Sequence, residues 1–166
     1  PPPARSALPP AVTMPNPDRV AAKVPAAAVA APTAGNREVA VLAGGCFWGV
    51  EAVFEHVRGV VDVRSGYAGS SAAGVNYANV GKSGSAEAVR IVFNPRLTNY
   101  SDLLRIFFAV AHDPTQINRQ GPDVGPQYRS AIFPQSPAQA RAVGAYIAQL
   151  GKAGVFKRPI ATRIEQ

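Results

Sequence analysis

The sequence predicts an α+β protein in which helices cover a mixed β-sheet. Short apolar segments with the β-branched content or alternation of strands are interleaved with segments whose apolar residues recur at helical spacing. Glycine, proline and asparagine separate these segments. The predicted order is β-α-β-β-α-β-α-β, one strand–helix crossover followed by a meander. This order favours a two-layer sandwich in a ferredoxin-like arrangement.

The first half of that order contains three strands and one helix. The segment "REVAVLAGG" is a β-branched, apolar run that two glycines end, which predicts a buried strand. The segment "CFWGVEAVFEHV" has apolar residues at helical spacing, with Gly59 behind it as a stop. The segments "VVDVRSGYAG" and "AEAVRIVFNP" are predicted as the second and third strands, the latter closed by Asn94 and Pro95.

The second half alternates helices with shorter strands. The segment "SDLLRIFFAVA" predicts a helix with Ser101 as its N-cap, and "QYRSAIF" predicts a fourth strand. Ser136, followed by proline, opens a further helix, and "PIATRI" predicts a last strand. The connections over 70–85 and 112–127 are longer than a simple turn needs, which is typical of binding loops.

The first 36 residues differ in composition from the rest of the chain. They are dominated by proline and alanine and contain no aromatic residue. Such a segment cannot bury enough apolar surface to offset the entropy of ordering, so residues 1–36 are predicted to be a flexible, disordered leader or linker. The folded domain is then expected over 37–166. Because the chain starts without methionine, we expect a preceding segment, and the leader favours export, for example to a bacterial periplasm.

Composition excludes several classes of function. Apolar residues make up 47% of the 166 residues and charged residues 16%, which suits one domain with a packed core. The net charge is +7, but the basic residues are scattered, which argues against nucleic-acid binding. No apolar run approaches the roughly 20 residues of a membrane-spanning helix.

The chain has a single cysteine and two histidines. One cysteine excludes an internal disulfide and a multi-cysteine metal site. His56 and His112 lack the spacing of zinc ligands, so each is interpreted as a residue on the surface or at the end of a helix. Cys46 is therefore expected to act as a lone thiol.

Cys46 lies in the segment "GGCFWG", between a strand and a helix. At a helix N-terminus the free backbone N–H groups and the helix dipole favour a thiolate, but only by about 0.3–1 kcal/mol. Either other groups contribute or the thiolate forms only when substrate arrives. The alternative is a small buried residue beneath a tight turn.

Two aromatic residues, Phe47 and Trp48, follow the cysteine. The core face of this helix is already supplied by four other apolar side chains: Val50, Val53, Phe54 and Val57. We therefore expect at least one of the two rings to form the wall of an apolar cavity beside the sulfur.

Glu87 is predicted on an apolar face of the third strand. The strand period places it with three apolar residues: Val89, Ile91 and Phe93. A carboxyl group in such surroundings has a raised pKa and suits general acid catalysis. The alternative is a solvated position at the start of the strand. Three tyrosines at loop or strand ends could donate hydrogen bonds without changing charge: Tyr67, Tyr77 and Tyr128.

Five segments in their order resemble the A-type peptide methionine sulfoxide reductases: "GGCFWGVE", "SGYAG", "AEAVRIVFNP", "HDPTQ" and "GPDVGPQYRSAIF". The resemblance covers residues 38–150. It implies that Cys46 is the nucleophile that attacks the sulfur of a methionine S-sulfoxide. Phe47 and Trp48 would form the cavity for the substrate methyl group. The products would be methionine and a sulfenic acid on Cys46, formed without a metal or organic cofactor.

The same resemblance assigns the groups that handle the sulfoxide oxygen. Glu87, with Tyr77 and Tyr128, would hold and protonate this oxygen, and Asp123 would support the site through hydrogen bonds. The substrates would be oxidised proteins or free methionine sulfoxide, and the protein is expected to be a monomer.

Three departures from the family pattern bear on activity. Ser85 stands where the family usually has a histidine, and the preceding loop is shorter, which bears on the placement of Tyr77. No resolving cysteine is present, so an external thiol, such as glutathione or a thioredoxin-like dithiol protein, would reduce the sulfenic acid. The chain ends at Gln166, where the family usually continues, so a truncated C-terminal segment is expected.

Two other functions compete with an active reductase. One is a degenerate module that binds oxidised methionine without efficient turnover, because its loop and C-terminal segment are altered. The other is a thiol hydrolase, which would need a histidine base near Cys46. His56 lies about 15 Å along the same helix, at 1.5 Å per residue, and His112 is expected in a distant loop.

Overall fold

The computed structural model describes residues 24–33, 35–70 and 73–166. The strands are β1 (Glu38–Gly44), β2 (Val60–Ala68), β3 (Ala86–Phe93), β4 (Arg119–Gln120), β5 (Asp123–Val124), β6 (Ser130–Ile132) and β7 (Arg163–Ile164). The α-helices are α1 (Phe47–Glu55), α2 (Val80–Ser83), α3 (Tyr100–Ile106) and α4 (Pro137–Ala153). A π-helical turn (Phe107–Ala111) continues α3, and a 3₁₀ turn (Pro126–Tyr128) precedes β6.

The main sheet of the described residues has the strand order β2-β3-β1-β6-β7. β3 lies between β1 and β2 and is antiparallel to both, and β1 is antiparallel to β6. β7 joins β6 in parallel, so the sheet is mixed. The β1-α1-β2 unit is thus split by β3, as in a ferredoxin-like sheet, and the predicted α+β class is confirmed.

The two faces of this sheet differ in the size of their side chains. One face carries Leu42, Ile91 and Ile132 and packs against the helices, whose Phe54 and Phe107 complete this core; all five side chains are fully buried. Burial of each such side chain stabilises the fold by about 1.5–3 kcal/mol. The opposite face carries a smaller cluster made mostly of alanines: Ala43, Ala86, Ala88, Ala131 and Phe133. The strand alternation that predicted Glu87 on the apolar face therefore places it toward the larger core.

Several element boundaries differ from the predictions. The predicted N-cap Ser101 is wrong, because the side chain of Asn99 accepts the N–H of Asp102, whose carboxylate in turn accepts the N–H of Asn99. The predicted fourth strand is only three residues long, because Gln127 and Tyr128 belong to the 3₁₀ turn. The last strand is reduced to two residues. Ser136 is the N-cap of α4, as predicted.

Both long connections contain structure that the sequence pattern did not indicate. The helix α2 lies within the connection from 70 to 85, and the β4–β5 hairpin lies within the connection from 112 to 127. Both elements are too short to show a hydrophobic period.

Residues 24–33, here called the N-terminal strap, pack against α3 and α4. Val24 and Ala31 are buried in the main core. Four helix side chains bind the strap main chain: Arg105 Nε to Val24 O (2.6 Å), Tyr146 Oη to Pro25 O (2.6 Å), Gln149 to Ala26 O (2.9 Å) and Ala28 N (2.8 Å), and Ser101 Oγ to Ala31 N (3.2 Å). The structure therefore differs from the expectation of disorder in this part of the leader. The physical reason is that the helices supply the apolar surface and the hydrogen bonds that the strap lacks. The rest of the predicted leader, residues 1–23 and 34, lies outside the described residues.

Candidate active site

Cys46 lies at the turn between β1 and α1 and is the N-cap residue of α1. Its carbonyl oxygen accepts the N–H groups of Gly49 (3.1 Å) and Val50 (3.4 Å), while its side chain makes no capping hydrogen bond. The residue is partly buried. The thiol therefore lies at the positive end of a helix and is not engaged in holding that helix.

The two glycines before Cys46 allow close contact with the 112–127 connection. Gly45 has a φ of +90°, which favours glycine, and an added Cβ there would lie 2.6 Å from Gln120. A Cβ at Gly44 would lie 2.9 Å from the ring of His112. Gln120 is itself fixed by two hydrogen bonds to the main chain of Asp113. The connection thus packs directly against the turn that presents the thiol.

His112 lies beside this turn, and its prediction as part of a distant loop is wrong. The centroid of its ring lies 4.1 Å from that of the Phe107 ring, and Nδ1 donates to the Phe107 carbonyl oxygen at 3.0 Å. Nε2 then accepts the hydroxyl of Ser130 at 2.7 Å, and the Ser130 oxygen accepts the hydroxyl of Thr162. Desolvation lowers the pKa of His112 to about 4, despite the opposing effects of the Phe107 hydrogen bond and of Asp113. Both ring nitrogens are occupied, so the ring is poorly placed to act as a base toward Cys46.

Glu87 is 1% exposed, and its carboxyl group is joined directly to the cysteine helix. The Phe47 N–H donates to Glu87 Oε2 at 3.1 Å, while Oε1 has no hydrogen-bond partner among the described residues. Desolvation raises the pKa of Glu87, the Phe47 hydrogen bond lowers it, and the nearby Asp123 raises it, with a net rise. A carboxyl group with a raised pKa and one unengaged oxygen is suited to donate a proton to a bound oxygen.

An aromatic wall borders the first turn of α1. Phe47 is buried and lies 5.8 Å from Trp48 and 5.6 Å from Tyr67, measured between ring centroids. Trp48 is 64% exposed and stacks on Tyr77 at 6.1 Å with an interplanar angle of 11°. One ring thus belongs to the core and the other faces solvent, which leaves an exposed aromatic surface beside Cys46.

Tyr128 lies close to the other polar residues predicted for the site. Desolvation has the largest effect on the pKa of Tyr128 and raises it. The proximity of Glu87, Tyr77, Asp123 and Cys46 raises this pKa further, by effects that decrease in that order. Every residue that the sequence predicted for the reaction is therefore brought to one place from four separate segments.

A family model described as peptide methionine sulfoxide reductase matches residues 38–166. The chain belongs to this family. It is 54% identical over 134 residues to peptide methionine sulfoxide reductase MsrA 2 of Synechocystis, covering 80% of this chain and 63% of that protein. It is 52% identical over 131 residues to MsrA of Deinococcus radiodurans, covering 78% of this chain and 63% of that protein. The chain therefore spans less than two thirds of the length of these two relatives.

Solved structures of the family share the fold. Methionine sulfoxide reductase A of Corynebacterium diphtheriae superposes with a TM-score of 0.67 at 34% identity, covering 80% of this chain and 66% of that chain. Mxr1 of Saccharomyces cerevisiae in reduced form superposes with a TM-score of 0.65 at 33% identity, covering 78% of this chain and 76% of that chain. These similarities support the α+β fold.

The departures from the usual methionine sulfoxide reductase motif can be located in this chain. Ser85 is buried, and its N–H donates to the Ser83 hydroxyl, so the position usually held by histidine is a packed part of the chain. Tyr77, whose placement was in question, stacks on Trp48. The altered loop therefore still carries this tyrosine to the aromatic wall.

Sequence reasoning did not identify three residues that shape this site: His112, Gln120 and Arg129. Each acts through contacts with the main chain of another segment. The only signals available were the unusual length of the 112–127 connection, which contains Gln120, and the family motifs that contain His112 and Arg129.

Within the part of the chain that the structure describes, no three His, Cys, Asp or Glu side chains are grouped as metal ligands would be. None of the described helices has both the length and the apolar character to cross a membrane.

Proposed function

We propose that this protein reduces methionine S-sulfoxide to methionine, with Cys46 as the nucleophile and Glu87 as the general acid. The observation that carries the proposal is the hydrogen bond from the N–H of Phe47, the residue after the cysteine, to Glu87. This contact joins a helix-terminal thiol to a buried carboxyl group with a raised pKa. A nucleophile and an acid are what an oxygen transfer from sulfur to sulfur needs.

The first step transfers the sulfoxide oxygen to the enzyme. The Cys46 sulfur attacks the sulfoxide sulfur while Glu87 protonates the sulfoxide oxygen, which becomes a hydroxyl group. The S–O bond of the substrate and the new S–S bond then break as the hydroxyl is transferred to the Cys46 sulfur, and the thiol proton of Cys46 returns to the Glu87 carboxylate. The products are methionine and a Cys46 sulfenic acid, so the substrate is reduced by two electrons and the thiol is oxidised by two.

The aromatic and phenolic groups bind and orient the substrate. The exposed ring of Trp48, with Phe47 beside it, forms an apolar surface for the methyl group of the sulfoxide. Tyr77 and Tyr128 donate hydrogen bonds to the oxygen, and Asp123 supports the site through hydrogen bonds. Desolvation raises the pKa of Glu87, and the proximity of Asp123 adds a smaller rise in the same direction. Holding the reacting atoms in line lowers the entropic part of the barrier.

An external thiol completes the cycle by reducing the Cys46 sulfenic acid. A dithiol attacks the sulfenic acid, releases water and then frees Cys46 by forming its own disulfide. Mxr1 of Saccharomyces cerevisiae has been solved in complex with Trx2, at 26% identity to this chain and a TM-score of 0.52. This similarity supports a thioredoxin-like dithiol as the reductant, with glutathione as the alternative. We further propose that the protein acts as a monomer and that it is exported, on the basis of its Pro/Ala-rich leader.

A single-turnover assay without reductant tests the proposal. Protein is mixed with a methionine S-sulfoxide peptide, and the methionine formed and the thiol lost are counted. We expect one methionine per Cys46 and none from Cys46→Ser. Retained peptide binding without methionine would replace the proposal by the binding module, and free methionine sulfoxide in a parallel assay shows which substrate is preferred.

A further inference from the structure

Arg129 is a buried cation that the proposed chemistry does not use. It follows the 3₁₀ turn, and its side chain is 7% exposed. The guanidinium group binds both carboxylate oxygens of Glu165, with Nε 2.7 Å from Oε2 and Nη2 3.0 Å from Oε1. Nη1 donates to the carbonyl oxygen of Pro126 at 2.9 Å, and Nη2 donates to that of Gly84 at 3.1 Å.

The two carbonyl oxygens belong to segments that carry site residues. Gly84 lies three residues before Glu87, at the end of α2 where the chain enters β3. Pro126 begins the 3₁₀ turn that ends at Tyr128. Arg129 therefore joins the segment that carries the carboxyl group to the segment that carries the phenol.

A third segment packs against the same guanidinium group. Gly69 directly follows β2 and has a φ of +89°, and a Cβ added there would lie 2.8 Å from Arg129 Nη2. Only a residue without a side chain allows this approach. The ends of β2 and α2 and the 3₁₀ turn thus all contact the Arg129 side chain, and the Glu165 carboxylate binds its guanidinium group.

We propose that Arg129, held by Glu165, is a positioning residue that sets the distance between the Glu87 carboxyl group and the Tyr128 hydroxyl. It acts through main-chain carbonyl groups and does not touch the substrate. The inference rests on the proposed reductase function and adds to it a residue and an ion pair on which the geometry of the oxygen-handling groups depends.

Stability alone does not account for this ion pair. A buried pair costs desolvation, and replacing one by apolar residues is often neutral or stabilising. Arginine presents its donors in a rigid, planar fork, so one side chain can hold a carboxylate and two carbonyl groups in fixed directions. Lysine has the same charge on a flexible stem and cannot reproduce that geometry.

The first test compares Arg129→Lys and Arg129→Met with wild type in the steady state and in a single turnover. We expect kcat per folded molecule to fall by about tenfold or more in both variants, because small displacements of reacting groups cost up to about a hundredfold. KM and the rate of Cys46 alkylation by iodoacetamide should stay within about twofold, since the aromatic wall and the thiol are unchanged. Arg64→Lys is the matched control, because Arg64 forms an exposed pair with Asp62.

The second test displaces Arg129 without removing any hydrogen-bonding group. Gly69→Ala places a methyl group against Nη2 and should lower kcat. Gly154→Ala is its control, because Gly154 also has a positive φ, of +61°, but nothing lies within 4 Å of an added Cβ. This pair keeps the inference testable if the Arg129 variants do not fold.

The possible results of these tests distinguish the positioning role of Arg129 from the proposed reductase function. Inactive wild type would overturn the proposed function. Active wild type, with Arg129 and Gly69 variants that lose only thermal stability and keep kcat per folded molecule, would overturn the inference alone. Full activity in Arg129→Lys would show that charge suffices and would also overturn it.

Discussion

Glu87 carries a buried carboxyl group that we propose as the proton donor, and its replacement by glutamine tests this role. Glu87→Gln keeps the shape but cannot donate a carboxyl proton. We expect methionine formation to fall by about 10²–10⁴-fold at neutral pH, the usual contribution of a general acid, and the loss to shrink at low pH, where solvent acid substitutes. A pH–rate profile measures this. Glu55→Gln, on the exposed part of α1, is the control, and an unchanged rate in Glu87→Gln would assign the proton to another donor.

The same substitution should make the folded protein more stable at alkaline pH. Burial raises the pKa of Glu87 above its ordinary value of 4.5, so the native state binds this proton more tightly than the unfolded state does. The stabilisation from that proton is complete below the ordinary pKa and is lost as pH rises through the folded pKa. Urea unfolding should show Glu87→Gln more stable than wild type at pH 8, with the difference closing near pH 4.

Because desolvation lowers the pKa of His112, we expect the folded protein to lose stability as the pH falls below neutrality. Its pKa falls from 6.5 to about 4 on folding, so the unfolded state binds a proton first as pH decreases. The free energy of unfolding should fall by about 1–3 kcal/mol between pH 6.5 and pH 4 through this group. His112→Asn should lack that slope in urea unfolding, whereas His56→Asn, at an exposed histidine, should keep it. An unchanged slope in His112→Asn would assign the acid sensitivity elsewhere.

At this scale the sequence indicates candidate reacting residues more readily than the residues that position them. Cys46 and Glu87 could be singled out because a lone thiol at a helix start and a carboxyl group on an apolar strand face contradict the local pattern, and their roles in the reaction stay predictions. Gln120, His112 and Arg129 could not be found by the same reasoning. Their partners are mostly main-chain groups, glycines and single polar side chains such as Ser130 and Glu165, and such contacts leave no period in the sequence.

Among the elements, the start of α3 offers a direct test of its cap. Asn99 and Asp102 form a reciprocal capping box, and Ser101, which sequence alone favoured, instead accepts a hydrogen bond from Ala31. Asn99→Ala should destabilise the protein by about 1 kcal/mol in urea unfolding. Asn36→Ala, at an exposed asparagine outside any helix, is the control, and the same loss there would show that the effect is not one of capping.

The long elements were predicted well because their apolar residues follow a clear period. The strands β1, β2 and β3 and the helices α1 and α4 are all present at their predicted places. The errors concern short elements, such as α2 and the β4–β5 hairpin, whose position is set by tertiary contacts. The four residues of α2 are too few for any helical pattern to be read.

For the molecule as a whole, the docking of the N-terminal strap can be tested with two tyrosines. Tyr146 donates to the Pro25 carbonyl oxygen, whereas the buried Tyr100 hydroxyl has no partner among the described residues. Tyr146→Phe should cost about 1 kcal/mol of unfolding free energy, and Tyr100→Phe should be neutral or stabilising. Equal losses in both variants would contradict the contribution of the strap.

Hydrogen exchange adds a local measurement of the same contact. The amides of Ala28 and Ala31 donate to helix side chains and should be protected. Gln149→Ala should remove the protection at Ala28, and Gln135→Ala, outside the strap contact, should not. Rapid exchange of both amides in wild type would contradict docking.

The strap hydrogen bonds have one property in common: each ends on main-chain atoms of the strap. Every amino acid offers the same carbonyl group, and every one except proline offers the same N–H. Mutation can therefore accumulate along most of this segment without loss of attachment, provided that the side chains at Val24 and Ala31 remain small enough to be buried. Among relatives that carry this segment, alignments should accordingly show a strap that diverges rapidly beside helix positions 101, 105, 146 and 149 that change slowly.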